Sequence, residues 1–274
     1  MANNKRPRGF TVMFPDDLEE YIAEHREGTY QLIDVRQPEE HEEFHLPGSR
    51  LIPLPLLVES MKKLDRTSDT ILYCSVGGRS LMAAQFLAVR GFQRVFQLQG
   101  GIEAWEERTA TGSPELHLQF IRGDESAIEA AEIAYRFETG LEEFHRAASA
   151  RSQVPEVRDL LEKLIGAEES HRLKLLRLLE SLGGAPEAAG ASEGLMEGGF
   201  KIGDFLARNG DYLKSDKGCL ELAMMIEVQA LDLYLRMAQT CSDAEAKKVF
   251  YGLGDEEKAH LGLLAELGAR IGQG

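Results

Sequence analysis

The chain is short of basic charge, of cysteine and of long apolar runs, and each shortage excludes something. Its 46 acidic residues against 31 basic ones leave a formal net charge of −15. Nucleic acid and anionic membrane surfaces are bound through a basic footprint, which is missing. The imbalance is uneven: residues 1–112 carry 13 Lys/Arg against 17 Asp/Glu, and residues 113–274 carry 18 against 29. The plain reading of the acidic half is solvated helix faces, with only a few carboxylates used as ligands. The three cysteines, Cys74, Cys219 and Cys241, form no C-x-x-C pair. That excludes a disulfide framework and, by spacing, a thiolate metal site. No apolar run reaches the roughly 18 residues of a membrane span, and the start MANNKRPRG has no apolar h-region. A cytoplasmic protein is expected, with Cys74 kept reduced.

What is present points to two domains, since 274 residues with 43% apolar content exceed one ordinary core. Residues 1–112 alternate strand-like runs (Gln31–Val35, Thr70–Cys74, Arg94–Leu98) with helix-like segments (Asp16–Arg26, Leu54–Leu64, Arg79–Arg90, Ile102–Glu107). That alternation predicts an α/β domain, a mostly parallel sheet with helices on both faces. The turn-rich Thr111-Gly112-Ser113-Pro114 opens an expected linker over 113–124. From residue 125 the period turns helical. Long helices are expected over Ser126–Arg151, Pro155–Leu182, Lys217–Thr240 and Asp243–Ile271, and a short one over Phe200–Leu213. Pro155 suits a first turn, Gly183-Gly184 a stop, and Ser242 an N-cap. A Gly/Ala-rich connection over 185–199 joins the two pairs, which suits an all-α four-helix bundle with one crossover.

The bundle half repeats one pattern. Glu138 is followed thirty residues on by Glu168 and then His171; Glu227 is followed thirty residues on by Glu257 and then His260. The second copy lies 89 residues after the first. On a helix, residues i and i+3 share a face, so each Glu-x-x-His aims a carboxylate and an imidazole at one place. A single such pair is common by chance; two, each preceded at equal distance by another helical Glu, read as a carboxylate-bridged two-metal site. Oxygen and imidazole donors suit iron, manganese or zinc, and four carboxylates neutralise two divalent ions. Cys219 and Cys241 read as packing residues.

In the first half, Cys74 ends a strand-like run and leads through Ser75-Val76-Gly77-Gly78-Arg79 into a helix. Backbone N–H groups of a glycine-containing loop can form an anion-binding nest. The helix N-terminus and the full charge of Arg79 add positive potential, which favours a thiolate. Cys74, Ser75, Val76, Gly77, Gly78 and Arg79 are the candidate catalytic loop.

The stretches AEIAYRFETGLEEF, LLEKLIGAEESHRLKLL, LELAMMIEVQALDLY and FYGLGDEEKAHLGLL resemble the rubrerythrin branch of the ferritin-like superfamily. The resemblance implies a di-iron bundle over 125–274 with ligands Glu138, Glu168, His171, Glu227, Glu257 and His260. Glu168 and Glu257 would bridge, the histidines would be terminal, and Glu138 and Glu227 terminal or bridging. Rubrerythrins usually carry a further Glu three residues after the third-helix ligand; this chain has Ala230 there, leaving a symmetric six. His145, seven after Glu138, stands where the second half has Tyr234, and is expected on the surface or beside the ligands without chemistry of its own. The cysteines of a rubredoxin module are absent, so electrons are expected from an external donor.

Residues 1–112 resemble a single rhodanese domain through LIDVR, EFHLPGSRLIPL, CSVGGRS and LQGGIEAW. The resemblance makes Cys74 a persulfide carrier and gives Asp34 and Arg36 a bracing role. The Cys-x4-Arg loop has the length of sulfurtransferases; related phosphatases use one residue more. Ser75 replaces the basic residue of many thiosulfate-using members, which argues against thiosulfate as donor. The expectation is a two-part cytoplasmic enzyme, a sulfurtransferase joined to a di-iron oxidoreductase or peroxidase, coupled in sulfur redox or oxidative-stress chemistry. Its partners would be a small sulfur donor, a thiol or other nucleophilic acceptor, peroxide or oxygen, and a second copy in a homodimer. The alternative is a metal-binding or storage bundle whose rhodanese half recognises a partner.

Overall fold

The computed structural model describes residues 9–106, 109–111, 126–185, 196 and 201–271. The chain divides into two compact units, Met1–Ser113 and Pro114–Gly274. The expected linker over 113–124 lies outside the described residues, as does the expected connection beyond Ala185 apart from Met196.

The first unit is built on β1 (Thr11–Met13), α1 (Pro15–Glu24), β2 (Tyr30–Asp34), α2 (Pro38–Glu43), β3 (Arg50–Leu51), α3 (Leu57–Ser60), β4 (Asp69–Tyr73), α4 (Gly78–Val89) and β5 (Val95–Leu98). Short 3-10 turns flank α3 on both sides, and another covers Gly101–Ala104. The strands run in the order β1-β5-β4-β2-β3, and every pair is parallel. Side chains alternate across the sheet. Leu32, Ile71 and Tyr73 pack with Leu18 of α1 on one face. Ile33, Leu72 and Cys74 pack with Leu57 of α3 and Ala83, Ala84 and Leu87 of α4 on the other. Helices therefore cover both faces, as the alternation predicts. The central strand β4 is buried at all five residues and delivers Cys74 at its carboxyl end, the end at which open parallel sheets place their sites.

Two strands and one helix were not visible in the sequence. β1 and β3 are three and two residues long, too short for a period to register. α2, PEEHEE, has no apolar stripe and is set by Pro38 in its first turn. Where a helix is expected over Ile102–Glu107, Gly101–Ala104 form a 3-10 turn, and residue 107 lies outside the described residues.

The second unit holds α5 (Ala127–Ser149), α6 (Pro155–Ser181), α7 (Ile202–Arg208), α8 (Asp216–Thr240) and α9 (Ala244–Ile271). Ser126 caps α5 in a capping box with Glu129. Pro155 lies in the first turn of α6, and Gly183, at φ +77°, ends it with the Gly184 N–H on Leu179 O. The expected cap at Ser242 is corrected: Asp243 Oδ1 accepts the Ala246 N–H at 2.8 Å, because a carboxylate one residue later reaches the first turn of α9. α5 packs on α6 and α8 on α9, with further contacts of α6 on α9 and α5 on α8. The short connections within each pair turn the chain back as helical hairpins. One apolar core, including Ala131, Phe144, Leu161, Leu175, Ala223, Tyr234 and Phe250, joins all four long helices. Cys219 and Cys241 belong to it, as expected of packing residues.

One glycine is required by contact as well as by angle. Gly101 has φ +65°, and a Cβ there would lie 2.3 Å from both Cys74 O and Ser75 O. Gly101→Ala should lower stability by roughly 2–3 kcal/mol, from positive-φ strain and the clash together. A denaturant melt of the purified variant checks this; a loss under about 0.5 kcal/mol, the range of a neutral surface change, would contradict it.

Candidate functional site

The sulfur site forms where β4 gives way to α4. Cys74 is buried, and its Sγ accepts the Gly77 N–H at 3.1 Å, with the Ser80 hydroxyl oxygen 3.6 Å away. Gly77, at φ +102°, turns the chain so that its N–H faces the sulfur, and Gly78 begins the helix. Burial pushes the Cys74 thiol up, but donors from Ser80, Gly77 and Arg79 outweigh it, and the net direction is down.

Arg79 behaves differently from the expectation of a free positive charge. Its guanidinium makes two 2.6 Å hydrogen bonds to Glu40 on α2 and a third to Ser75 Oγ at 2.9 Å. Ser75 in turn donates to Glu40 at 2.7 Å. The hydrogen bonds from Arg79 hold the Glu40 carboxyl down at about 2, so the pair is ionised and mutually neutralised at neutral pH. The field favouring thiolate therefore comes mainly from loop N–H groups and a hydroxyl, with the Arg79 guanidinium, though paired with Glu40, still acting on the sulfur. Val76 points outward and is exposed. The 3-10 turn braces the loop from the other side: the Ile102 and Glu103 N–H groups donate to Cys74 O and Ser75 O at 2.8 and 3.0 Å. Gln97, buried on β5, lies against Ser80 Oγ and Gly77 O.

Asp34 and Arg36 do brace the domain. Arg36 donates to both Asp34 oxygens and to Phe44 O, His41 Nδ1 lies 2.9 Å from Asp34 Oδ2, and all three side chains are buried.

In the bundle, the duplicated residues converge. Glu138 on α5, Glu168 and His171 on α6, Glu227 on α8, and Glu257 and His260 on α9 are all buried. They form two groups, Glu138–Glu168–His171–Glu257 and Glu168–Glu227–Glu257–His260, in each of which the ligand atoms lie within 4.8 Å of one another. Glu168 and Glu257 belong to both. His171 Nδ1 lies 3.0 Å from Glu168, 3.2 Å from Glu138 and 3.3 Å from Glu257; His260 Nδ1 lies 2.9 Å from Glu257 and 3.6 Å from Glu227.

The cluster fits a pair of cations. Both Glu168 oxygens, Glu227 Oε2 and Glu257 Oε1 are buried without a hydrogen-bond partner, a state costing about 1–3 kcal/mol or more per group unless something positive answers it. Without cations, burial and then the neighbouring carboxylate charge of Glu257 push Glu168 well above the usual carboxylate range, and burial with Glu227 raises Glu257 to about 7. Burial pushes His260 down, but Glu227 and Glu257 outweigh it and raise it to about 11; His171 is raised in the same way. Protons thus supply the positive charge that two divalent ions would supply in their place.

His145 is not a surface residue. It is fully buried, with Nε2 2.9 Å from Glu227 Oε1 and 3.5 Å from Glu168 Oε1. Tyr234 does the equivalent in the other half, its hydroxyl donating to Glu138 Oε1.

Residues 129–268 match the family Rubrerythrin. The chain belongs to that family. Residues 17–108 match the Rhodanese-like domain family, so the rubrerythrin bundle follows a rhodanese-like domain on one chain. A sulfurtransferase of Allochromatium vinosum is 35% identical over 74 residues, 27% of this chain and 69% of its own length. The rhodanese-like/PpiC domain-containing protein 12 of Arabidopsis thaliana is 39% identical over 88 residues, 31% of this chain, and the match spans only 29% of the plant protein. Among solved structures, a rhodanese-like domain protein from Staphylococcus aureus is 25% identical with a TM-score of 0.35, covering 38% of this chain and all of that one.

Several residues at the rubrerythrin and rhodanese-like sites escaped the sequence reading. Ser80 comes to Cys74 from the first turn of α4, and Glu40 and Gln97 come to its loop from α2 and β5. Glu256 and Lys174 bind one another beside His171. Only the last pair left a trace: Glu256 breaks the repeat, since the position 89 residues earlier is Ala167.

Alkylation of Cys74 by iodoacetamide, read by peptide mass spectrometry against pH, should titrate below the ~8.5 of a free thiol. Ser80→Ala should move that midpoint upward by removing a donor to the thiolate. A midpoint above the free value would contradict the geometry.

Proposed function

We propose that the chain is a two-part enzyme, a rhodanese-type sulfurtransferase joined to a di-iron oxidoreductase that reduces peroxide or activates oxygen. The observation that carries the reading is the convergence of six duplicated residues around buried oxygens without protein partners, on the same chain as a thiol ringed by N–H donors.

In the sulfur half, the Cys74 thiolate attacks the outer sulfur of a persulfide donor R–S–SH. The donor's S–S bond breaks, R–S⁻ leaves, and Cys74 holds the outer sulfur as Cys74–S–SH. A nucleophilic acceptor, such as a thiolate, takes that sulfur and returns the Cys74 thiolate. No net oxidation occurs. The Gly77 N–H and the Ser80 hydroxyl hold the negative charge on sulfur at both ends of the cycle. With Arg79 neutralised by Glu40 and Ser75 at the mouth, the loop lacks the net cation that would draw in dianionic thiosulfate, which favours a persulfide donor.

In the bundle half, Glu138, Glu168, His171, Glu227, Glu257 and His260 would hold two iron ions, with manganese or zinc as the other ions this donor set suits. When bound, iron supplies redox chemistry on peroxide or oxygen. Tyr234 and His145 hold Glu138 and Glu227 in place, and the packed helices keep bulk water from the carboxylates. With Cys74, Cys219 and Cys241 as its three cysteines, the chain has no set to build a rubredoxin-type electron carrier, so electrons come from an external donor. A coupled version of the reading would instead make the Cys74 persulfide or thiol the substrate or reductant for the metals. We place this chemistry in the cytoplasm; no helix among the described residues is long and apolar enough to cross a membrane. An intact nucleophile loop favours catalysis over partner recognition as the role of the rhodanese-like domain.

Protein purified anaerobically with iron should carry about two ions per chain, and Glu168→Ala should lose most of both because Glu168 belongs to both groups. No bound iron or manganese after metal-supplemented purification would sink the bundle reading. Cys74→Ser should abolish sulfur transfer from glutathione persulfide to a thiol acceptor, and wild-type turnover with thiosulfate should be slower. Undiminished transfer by Cys74→Ser would sink the sulfur reading.

A further inference from the structure

We propose that the two ion positions of the bundle are unequal: the position built on His171 takes its ion first and more tightly, and the position built on His260 is the weaker one and faces solvent. This rests on the two-ion reading above and concerns what surrounds the six ligands.

The repeat allows the halves to be compared position by position. The ligands correspond one to one: Glu138 with Glu227, Glu168 with Glu257, His171 with His260. Each first-helix carboxylate also receives one partner from seven residues along the other half's first helix, Tyr234 on Glu138 and His145 on Glu227. Up to this point the site is two-fold in kind.

The symmetry ends behind the histidines. His171 Nε2 lies 2.9 Å from Glu256 Oε2, and Lys174 is ion-paired with the same carboxylate. An imidazole that gives its outer N–H to a carboxylate is locked in one tautomer, with the lone pair of the other nitrogen on the ligand side, and is a stronger donor. Here that nitrogen is Nδ1, the atom facing Glu138, Glu168 and Glu257. Lys174 anchors Glu256, which is itself half-exposed, and the three form a cover over the His171 end.

At the His260 end all the parts of this cover are replaced. The counterpart of Glu256 is Ala167, and the counterpart of Lys174 is Leu263, exposed to 47%. No carboxylate accepts from His260 Nε2 among the described residues. The His260 side chain is 11% exposed, whereas that of His171 is fully buried. One ligand is therefore oriented, made more basic and shielded; its twin has partners at Nδ1 alone among the described residues, and the exposed Leu263 stands three residues further along its helix. Outer partners of this kind are worth about 10–100-fold in metal affinity, and that is the separation expected between the two positions.

The test uses full-length protein stripped of metal and titrated anaerobically with Co²⁺, followed by d–d absorption and equilibrium dialysis. Wild type should bind two ions in two steps whose dissociation constants differ by about 10–100-fold. Glu256→Gln should weaken the tighter step by a similar factor and leave the weaker one in place. Lys174→Met should act in the same direction with smaller effect. Ala167→Glu with Leu263→Lys should tighten the weaker step by building the missing cover. Far-ultraviolet circular dichroism checks that each variant remains helical; both targeted groups are half-exposed, so the fold does not depend on them. Two ions bound with equal constants in wild type would overturn the inference, as would a tight step that Glu256→Gln and Lys174→Met both leave unchanged. No Co²⁺ bound at any concentration would instead overturn the two-ion reading beneath it.

Discussion

Four carboxylates and two imidazoles lie at the centre of the bundle, nearly all out of reach of water. Carboxylates so placed repel one another, and each charge taken from water costs several kcal/mol. The cluster is tolerable only when equal positive charge sits among the oxygens, as protons on the histidines and on Glu168 and Glu257, or as two divalent cations. The registers of the four long helices follow from that need. Each contributes one carboxylate at the same depth, α6 and α9 add an imidazole one turn further, and the apolar core closes around them. A shift of any helix by one residue would turn its glutamate out of the cluster and leave the others unbalanced.

The sulfur site in the other unit meets a related problem at smaller scale. One buried sulfur must carry a negative charge, and the chain answers with hydrogen-bond donors fixed in the backbone. This explains why the loop depends on Gly77 at a positive φ and on the Gly101 turn pressed against the carbonyls of Cys74 and Ser75. Arg79, the obvious cation, is already committed to Glu40. The mouth of the loop is therefore less positive than its sequence implies.

Much of this could be read from the sequence, for identifiable reasons. The duplicated Glu…Glu-x-x-His pattern is legible because a helix converts a spacing of three into a shared face. The Cys74 loop is legible because the nucleophile and its donors are consecutive residues. β1, β3 and α2 were not legible, being too short or too polar to show a period. Glu40 and Gln97 were missed because they reach the Cys74 loop from other elements, and no local pattern announces a contact between residues 40 and 79. For His145 the repeat leaves two places open, the surface or beside the ligands, because its only sign is its place opposite Tyr234, and the structure decides for the second. Burial, which makes it a partner of Glu227, cannot be seen in spacing.

The sequence by itself determined the two-unit architecture, the six metal-site candidates and the candidate nucleophile, because each is encoded by periodicity or by adjacent residues. Tertiary structure decided which groups neutralise which. Only folding brings Glu40 onto Arg79, Tyr234 onto Glu138, His145 onto Glu227 and Glu256 onto His171. The physical reason is that charge balance and hydrogen bonding act over a few ångströms through space, between residues 39 to 96 positions apart along the chain. A repeat that is symmetric in its ligands thereby becomes, once folded, a site with two different ends.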